Sequence, residues 1–329
     1  MIEKESFKNT YRKSVQYFTR DRIFTFSTVI IMQINLISKS LSVEVSKFLR
    51  RFNVVSNLLD GSKQAYSKAR NKIKWEGYIH LNDEFVKEYY SDDELKKYKD
   101  KYVLIGTDGT TYELPYEASL IEHFEVHDNG LGQAICMAQG LKLYDLLNDI
   151  NLVALFESYN TLAKGKSERA CFEGGLKRFS ALINTSEYSV EPIKEIHDFL
   201  FVGDKYYSSF YNFYNLSKLG YYYVLRCKNS FCKEVITFCN SDAEEAWLTI
   251  DLTLKNRKYG SSITRINNKA ERPKSVTVRC IKRILDNGEL LCLITNVEDL
   301  STKEVCDIFY TRRNEETSFD TDKNKLLLC

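Results

Sequence analysis

Three carboxylates stand at positions where a protein could use them to hold metal ions. Asp108 and Asp204 each follow a hydrophobic run typical of a β-strand, in the segments LIGTD and FLFVGD, and Glu316 lies in a segment with helical periodicity. Ligands and metals gather at the carboxyl ends of strands in α/β sheets. Three carboxylates can hold two Mg²⁺ ions, which activate an attacking hydroxyl and stabilise a leaving oxygen. This pattern indicates metal-dependent phosphoryl transfer.

Each aspartate, taken alone, has an ordinary alternative explanation. Asp108 precedes a glycine, and Asp-Gly between hydrophobic segments commonly forms a hairpin turn. The segment KYVLIGTDGTTYELP therefore predicts two strands joined at Asp108 and Gly109. Asp204 precedes a predicted helix, where aspartate is also a common cap or turn residue. The two segments by themselves leave a structural role and a catalytic role open.

Glu316 is supported by the pattern of the last predicted helix, residues 302–326. Five side chains recur at alternating spacings of three and four: Phe309, Arg312, Glu316, Phe319 and Lys323. Such spacing places them on one stripe, which must pack against the body of the protein. Charges on a packed face need a partner, a metal or a substrate. The plain alternative is an ion pair between Arg312 and Glu316, one helical turn apart.

The first 77 residues differ in charge from the rest of the chain. They hold 15 Lys and Arg against six Asp and Glu, whereas the remaining residues carry more acids than bases. A basic segment joined to an acidic body indicates a phosphate-binding module. Within it, SKQAYSKARNKIK predicts one helix with Lys63, Arg70 and Lys74 on one face and with Ala65, Ala69 and Ile73 packed on its own domain. Such a helix suits a DNA backbone, and a solvated charged helix is the equal alternative.

The predicted elements run from helical to α/β, then β-rich, then helical. We expect helices over residues 1–95, and a strand–helix–strand unit over HDFLFVGD, SSFYNFYNLSKL and YYYVLRCK. Residues 133–157 predict one strand and one helix, and residues 163–183 predict a helix. Four further strands are predicted from KEVITF, AWLTIDLTL, SVTVRCIKRIL and ELLCLITNV.

Other features exclude several classes of protein. Nine cysteines form an odd set without a CxxC pair, so the sequence predicts buried thiols rather than a zinc site or a disulfide framework. The apolar run from Phe24 to Ile37 contains polar residues and is shorter than the roughly 20 residues of a membrane-spanning helix. Charges throughout the first 22 residues argue against a signal peptide.

Together, these segments resemble the DDE transposases of bacterial insertion sequences, in the insertion-sequence-four group. LIGTDGTTYELP is similar to the segment with the first aspartate of that group, and FLFVGDKYYSSFYNFYNLSKLGYYYVLRCK to the segment with the second. SKQAYSKARNKI resembles a helix of the N-terminal region. The signature of the last helix is Tyr, two residues, Arg, three residues, Glu, six residues and Lys. It falls on Phe309, Arg312, Glu316 and Lys323.

The resemblance implies an α/β fold: a ribonuclease-H-like mixed sheet flanked by helices, with a β-rich insertion at about 225–300. It implies a helical DNA-binding domain over 1–95 and a catalytic domain over 96–329. Asp108, Asp204 and Glu316 would be both catalytic residues and ligands of two Mg²⁺ (or Mn²⁺) ions, while Arg312 and Lys323 would contact DNA phosphates.

The implied activity is the cleavage of double-stranded DNA at terminal inverted repeats, followed by strand transfer into target DNA. A homodimer would hold two transposon ends in the synaptic complex. We expect such an enzyme in the bacterial cytoplasm, associated with the nucleoid and without membrane contact.

The chain departs from the pattern of the group at several places. Phe309 replaces the tyrosine, and Lys205 with Tyr206 replaces a usual Arg-Gly, so a bulky side chain enters the turn after Asp204. The chain ends 13 residues after Glu316, where relatives continue into a helical region. A shortened, catalytically inactive transposase that only binds element ends is therefore the alternative function. A host nuclease on the same fold is a third.

Overall fold

The structure is a computed structural model, and it describes residues 1–20, 22–35, 40–52, 61–91, 94–128, 132–158, 168–253, 263–264, 266 and 268–313. By their contacts, these residues form two compact units, one comprising Met1–Val86 and the other the residues from Lys87 onward.

The first unit is helical. Its helices are α1 (Glu5–Tyr11), α2 (Phe26–Ile34), α3 (Leu41–Phe52), α4 (Lys63–Arg70) and the greater part of α5 (Glu76–Tyr89). The apolar run identified in the sequence forms α2, whose residues Val29 and Ile30 are fully buried in the core of this unit. None of the helices in the described part of the chain has both the length and the apolar character needed to cross a membrane.

Helix α4 is shorter than the sequence predicted. It ends at Arg70, and the chain then turns to run beside residues 11–13, where Lys74 N donates to Tyr11 O at 2.8 Å. Ala65 is exposed, while Ala69 is buried. The prediction of a single helical face through Lys74 was wrong, because pairing with the earlier segment ends the helix.

The second unit is α/β, with a mixed sheet flanked by helices. The strands are β1 (Tyr102–Leu114), β2 (Val126–Asp128), β3 (Ala134–Asp145), β4 (Ile150–Ser158), β5 (Asp198–Gly203), β6 (Tyr222–Cys227), β7 (Glu245–Asp251), β8 (Ser275–Ile284) and β9 (Leu290–Thr295). The helices are α6 (Ala118–Phe124), α7 (Glu168–Ile183), α8 (Ile193–Ile196), α9 (Phe210–Lys218), α10 (Lys233–Cys239) and α11 (Thr302–Thr311).

The sheet has the order β2-β3-β1-β5-β6-β9-β8-β7, and β4 also pairs with β3. Strands β1, β5 and β6 are parallel, and the other pairs are antiparallel. The predicted strand–helix–strand unit is confirmed as β5, α9 and β6. The strands predicted late in the chain extend this same sheet beyond β6.

Three local predictions were wrong. Residues 102–114 form one strand instead of a hairpin, because β3 pairs continuously with β1 from Ile105 to Leu114 and keeps the Asp-Gly pair extended. Residues 133–157 form the antiparallel strands β3 and β4 instead of a strand and a helix. KEVITF lies in helix α10, which buries Val235 and Phe238, three residues apart, as a helical face does.

The last described helix, α11, covers one face of the parallel strands. A capping box of Ser301 and Glu304 begins this helix. Ile308 is fully buried and Phe309 is 9% exposed, so the predicted packed face is confirmed where it is described. Both belong to one core cluster with Leu104 of β1 and with other strand residues. Glu316, Phe319 and Lys323 lie outside the described residues.

Seven of the eight cysteines in the described part of the chain are buried, as predicted. Five of them lie close to one another around β6, α10, β8 and β9: Cys227, Cys232, Cys239, Cys280 and Cys292. Their spacing along the sequence gave no sign of this cluster.

Candidate active site

The register of the parallel strands brings Asp108 and Asp204 to the same level of the sheet. Thr107 of β1 pairs with Gly203 of β5 at the end of their ladder, and each aspartate is the next residue of its chain segment. Neighbouring strands lie about 4.8 Å apart. The structure therefore places two of the three predicted carboxylates side by side, with Asp108 inside a strand instead of at a turn.

Asp108 occupies the face of the sheet that α11 covers. Leu104 and Leu200 are partners in the β1–β5 ladder, and both belong to the core cluster that includes Ile308 of α11. Side chains two and four residues apart in a strand point to the same face. Asp108 lies four residues after Leu104 in the same strand, so it continues this face at its polar end, and Asp204 follows the end of β5 at the same level.

Close packing at Gly203 fixes the end of β5. A Cβ atom at this position would lie 2.9 Å from Thr107 Cγ2 and 2.9 Å from Leu225 Cδ2. At such distances any side chain here would force Thr107 and Leu225 to shift, so glycine allows the closest packing between β1 and β6. The residue before Asp204 is thereby held against its neighbours on both sides.

Arg312 of the last helix reaches Asp108 of the first strand. Its Nη1 atom lies 3.4 Å from Asp108 Oδ2, and the two residues are 204 positions apart in the sequence. The other oxygen, Oδ1, accepts a hydrogen bond from Gly109 N at 3.0 Å. The side chain of Arg312 is 19% exposed and that of Asp108 is 24% exposed. The charge predicted on the packed face of the helix therefore has a carboxylate partner in the body.

Two further cations, which the sequence did not single out, flank the aspartates. Lys142 of β3 is the direct cross-strand partner of Asp108 and is only 5% exposed. Arg226 of β6 follows Leu225, the partner of Gly203, and forms an ion pair with Glu289. Across four neighbouring strands, Lys142, Asp108, Asp204 and Arg226 form one line, here named the charged row. A lysine inside the apolar segment GLKLYD was the only signal in the sequence.

The turn after Asp204 contains Lys205 and Tyr206 at the positions where the resembled group usually has Arg-Gly. Tyr206 N donates a hydrogen bond to Asp204 Oδ1 at 2.7 Å, and Tyr207 N donates to Asp204 O at 3.2 Å. Tyr206 does not adopt positive φ, and its side chain is half-exposed. The tyrosine therefore needs no glycine-like backbone at this turn.

The carboxylate oxygens of Asp108 and Asp204 are donor atoms of the kind that a hard divalent cation takes. Mg²⁺ prefers carboxylate oxygens, and each aspartate has one oxygen held by a backbone N–H, which restricts its rotation. No group of three or more His, Cys, Asp and Glu side chains suited to a metal occurs among the residues that the structure describes. The third predicted ligand, Glu316, lies outside them.

The predicted DNA-binding cations of the first unit occupy different settings. Lys63 and Arg70 are exposed on α4. Lys74 lies beyond the end of the helix, where its Nζ atom donates to Thr10 O at 2.9 Å. The structure thus keeps two of the three on one helix and commits the third to a bond within the unit.

A scan against protein-family models finds no match to this chain, and a search of curated proteins finds none. Its function is therefore inferred from its own residues and their geometry.

Proposed function

We propose that this chain is a DDE transposase, which cleaves double-stranded DNA at the ends of a mobile element and joins them to target DNA. One observation supports this most: Asp108 and Asp204 are level on neighbouring parallel strands, under the helix that leads to Glu316. The contact between Arg312 and Asp108 adds to it, because the sequence signature ties that arginine to Glu316 on one helix.

The strand order supports the ribonuclease-H-like core that the resemblance implies. Strands β4, β3 and β1 are successive antiparallel neighbours, and β5 and β6 then continue parallel to β1. Helix α7 connects β4 to β5 and, with α8, precedes the second aspartate, while α9 connects β5 to β6. Strands β7, β8 and β9 occupy the proposed insertion, between the second aspartate and the last helix.

The side chains of the site would divide the work of phosphoryl transfer. Asp108 and Asp204, with Glu316, would hold two Mg²⁺ ions, which supply an activated attacking oxygen and a stabilised leaving oxygen. Lys142, the cross-strand partner of Asp108, would balance the charge of that carboxylate when no metal is bound. Arg312 can exchange its aspartate for a DNA phosphate, since a guanidinium binds either group in the same planar geometry.

The test is the nicking of a plasmid that carries the DNA flanking this gene, in the presence of Mg²⁺ or Mn²⁺. Glu316→Gln and Asp204→Asn should each lower the nicking rate more than about 100-fold. Replacing even a residue that only hydrogen-bonds to a metal ligand often lowers metal affinity or activity 10- to 100-fold. Glu315→Gln removes the same charge one residue away and should leave the rate nearly unchanged.

Two outcomes would contradict the enzymatic proposal. If the intact chain cuts nothing and Glu316→Gln behaves identically, the chain is not an active transposase. Salt-sensitive binding to the same DNA without metal-dependent cutting would identify the alternative, an inactive protein that only binds element ends.

A further inference from the structure

The first unit contains an open groove between residues 15–20 and 22–24 on one side and helix α4 on the other. Its volume is about 1040 Å³, at the upper limit of sites that enclose small molecules. One wall comes from the segment before α2 and the other from the exposed side of α4. Phe24 and Ala69, both buried, lie at its base.

Among the residues that the structure describes, four charged ones line the groove, and each is a cation: Arg20, Arg22, Lys68 and Lys72. Arg20 and Arg22 belong to the first wall, and Lys68 and Lys72 to the second. The side chains of Arg20, Arg22 and Lys68 are exposed, while Lys72 is partly buried and has its ammonium 5.1 Å from the ring centroid of Tyr17. Cations thus face the same space from both sides.

Neutral hydrogen-bonding side chains also line the groove, at Gln16, Thr19, Ser62 and Gln64, together with the apolar Val15, Phe18 and Ile23. Phosphodiester oxygens in protein–DNA complexes take bonds from hydroxyl and amide groups as well as from Lys and Arg. The groove therefore offers the mixture of donors that a nucleic-acid backbone uses.

Small residues keep the groove open at the start of α4. A Cβ atom at Gly61 would lie 2.6 Å from Leu49 Cδ1 and 2.7 Å from Phe24 Cζ, so the chain enters the helix in direct contact with the core. Ala65 then presents only a methyl group to the groove. Gln64 and Lys68, one turn apart, stand along its edge, on a different side of α4 from Lys63 and Arg70.

We propose that this groove binds the sugar–phosphate backbone of double-stranded DNA. The inference rests on the proposed function only in taking DNA as the substrate, and it assigns binding to residues other than the predicted Lys63, Arg70 and Lys74. DNA is favoured over a small phosphate ligand because the cations are spread along two open walls, where successive phosphates can each meet one.

The test measures binding of the full chain to a fluorescent random-sequence duplex by anisotropy over a series of NaCl concentrations, without divalent metal. Lys68→Gln with Lys72→Gln should weaken binding more than about tenfold and reduce the slope of log K against log salt by about 2, one contact per cation. Arg20→Gln with Arg22→Gln should act similarly. The matched control is Lys47→Gln with Arg50→Gln, which removes two exposed cations of α3 that do not line the groove and should have a much smaller effect.

Each contrary outcome has a separate meaning. If the control pair weakens binding as much as the groove pairs do, with all variants folded by circular dichroism, the groove proposal is overturned. The groove proposal is also overturned if the groove variants keep their affinity for DNA but lose binding to phosphatidylglycerol vesicles. If the chain binds DNA through the groove but never nicks it, the groove proposal is supported and the proposed transposase activity is contradicted.

Discussion

The contact between Arg312 and Asp108 predicts an energetic coupling between the last helix and the first strand of the second unit. The charged groups lie 3.4 Å apart, and about four-fifths of each side chain is buried. At an effective dielectric constant of about 20, their Coulomb attraction is about 5 kcal/mol. Desolvation offsets most of this, and fully exposed pairs retain about 0.2–1 kcal/mol. We expect a coupling of about 1–2 kcal/mol for this partly buried pair.

A double-mutant cycle in urea unfolding measures this coupling. The chain has two tryptophans, and Trp75→Phe would leave Trp247 of β7 as the reporter of the second unit. The free energy of unfolding is compared for that background, Asp108→Asn, Arg312→Gln and the double variant. A cycle with the neighbouring Arg313→Gln is the control. A coupling within the roughly 0.3–0.5 kcal/mol of independent sites would refute the proposed bridge.

Three further predictions concern packing, protonation and thiol chemistry. Gly203→Val should lower the free energy of unfolding by about 1–3 kcal/mol in urea, because its Cβ would meet Leu225 Cδ2 at 2.9 Å; an unchanged midpoint would contradict this. A hydrogen bond from Lys99 helps to lower the pKa of Glu304 from 4.5 to about 2. Its stabilising effect is therefore complete above about pH 4.5 and is lost as the pH falls towards 2, so Glu304→Gln should flatten the unfolding profile across that window. Burial raises the pKa of the Cys280 thiol to about 12, so iodoacetamide at about pH 8 should label it, by peptide mass, only after unfolding.

The sequence predicted elements well where local pattern and tertiary pairing agree. The unit β5, α9 and β6 follows directly from apolar runs that Asp204 and Gly220 interrupt. At Asp108 the two disagree: Asp-Gly is a turn signal, but pairing with β3 keeps the dipeptide extended. A single sequence cannot show that ladder, because it depends on residues some thirty positions later.

The candidate site was predictable in its residue types more than in its geometry. Helical spacing identified Arg312 as a charge on a packed face, yet its partner Asp108 becomes visible only when the sheet brings the two ends of the unit together. The sequence could not predict that Lys142 is buried beside Asp108, because a single lysine in an apolar strand is equally compatible with an exposed edge. Lys74 was misplaced, since the end of α4 is set by pairing with residues 11–13 and not by its own sequence.

The most direct test of the proposed active site is the anomalous diffraction of crystals soaked in Mn²⁺. We predict a manganese peak at about 2 Å from carboxylate oxygens of both Asp108 and Asp204, with Glu316 as a further ligand. Asp108→Asn should remove or weaken that peak. Manganese bound only elsewhere, or no manganese between the two aspartates at saturating concentration, would contradict the metal-dependent transposase.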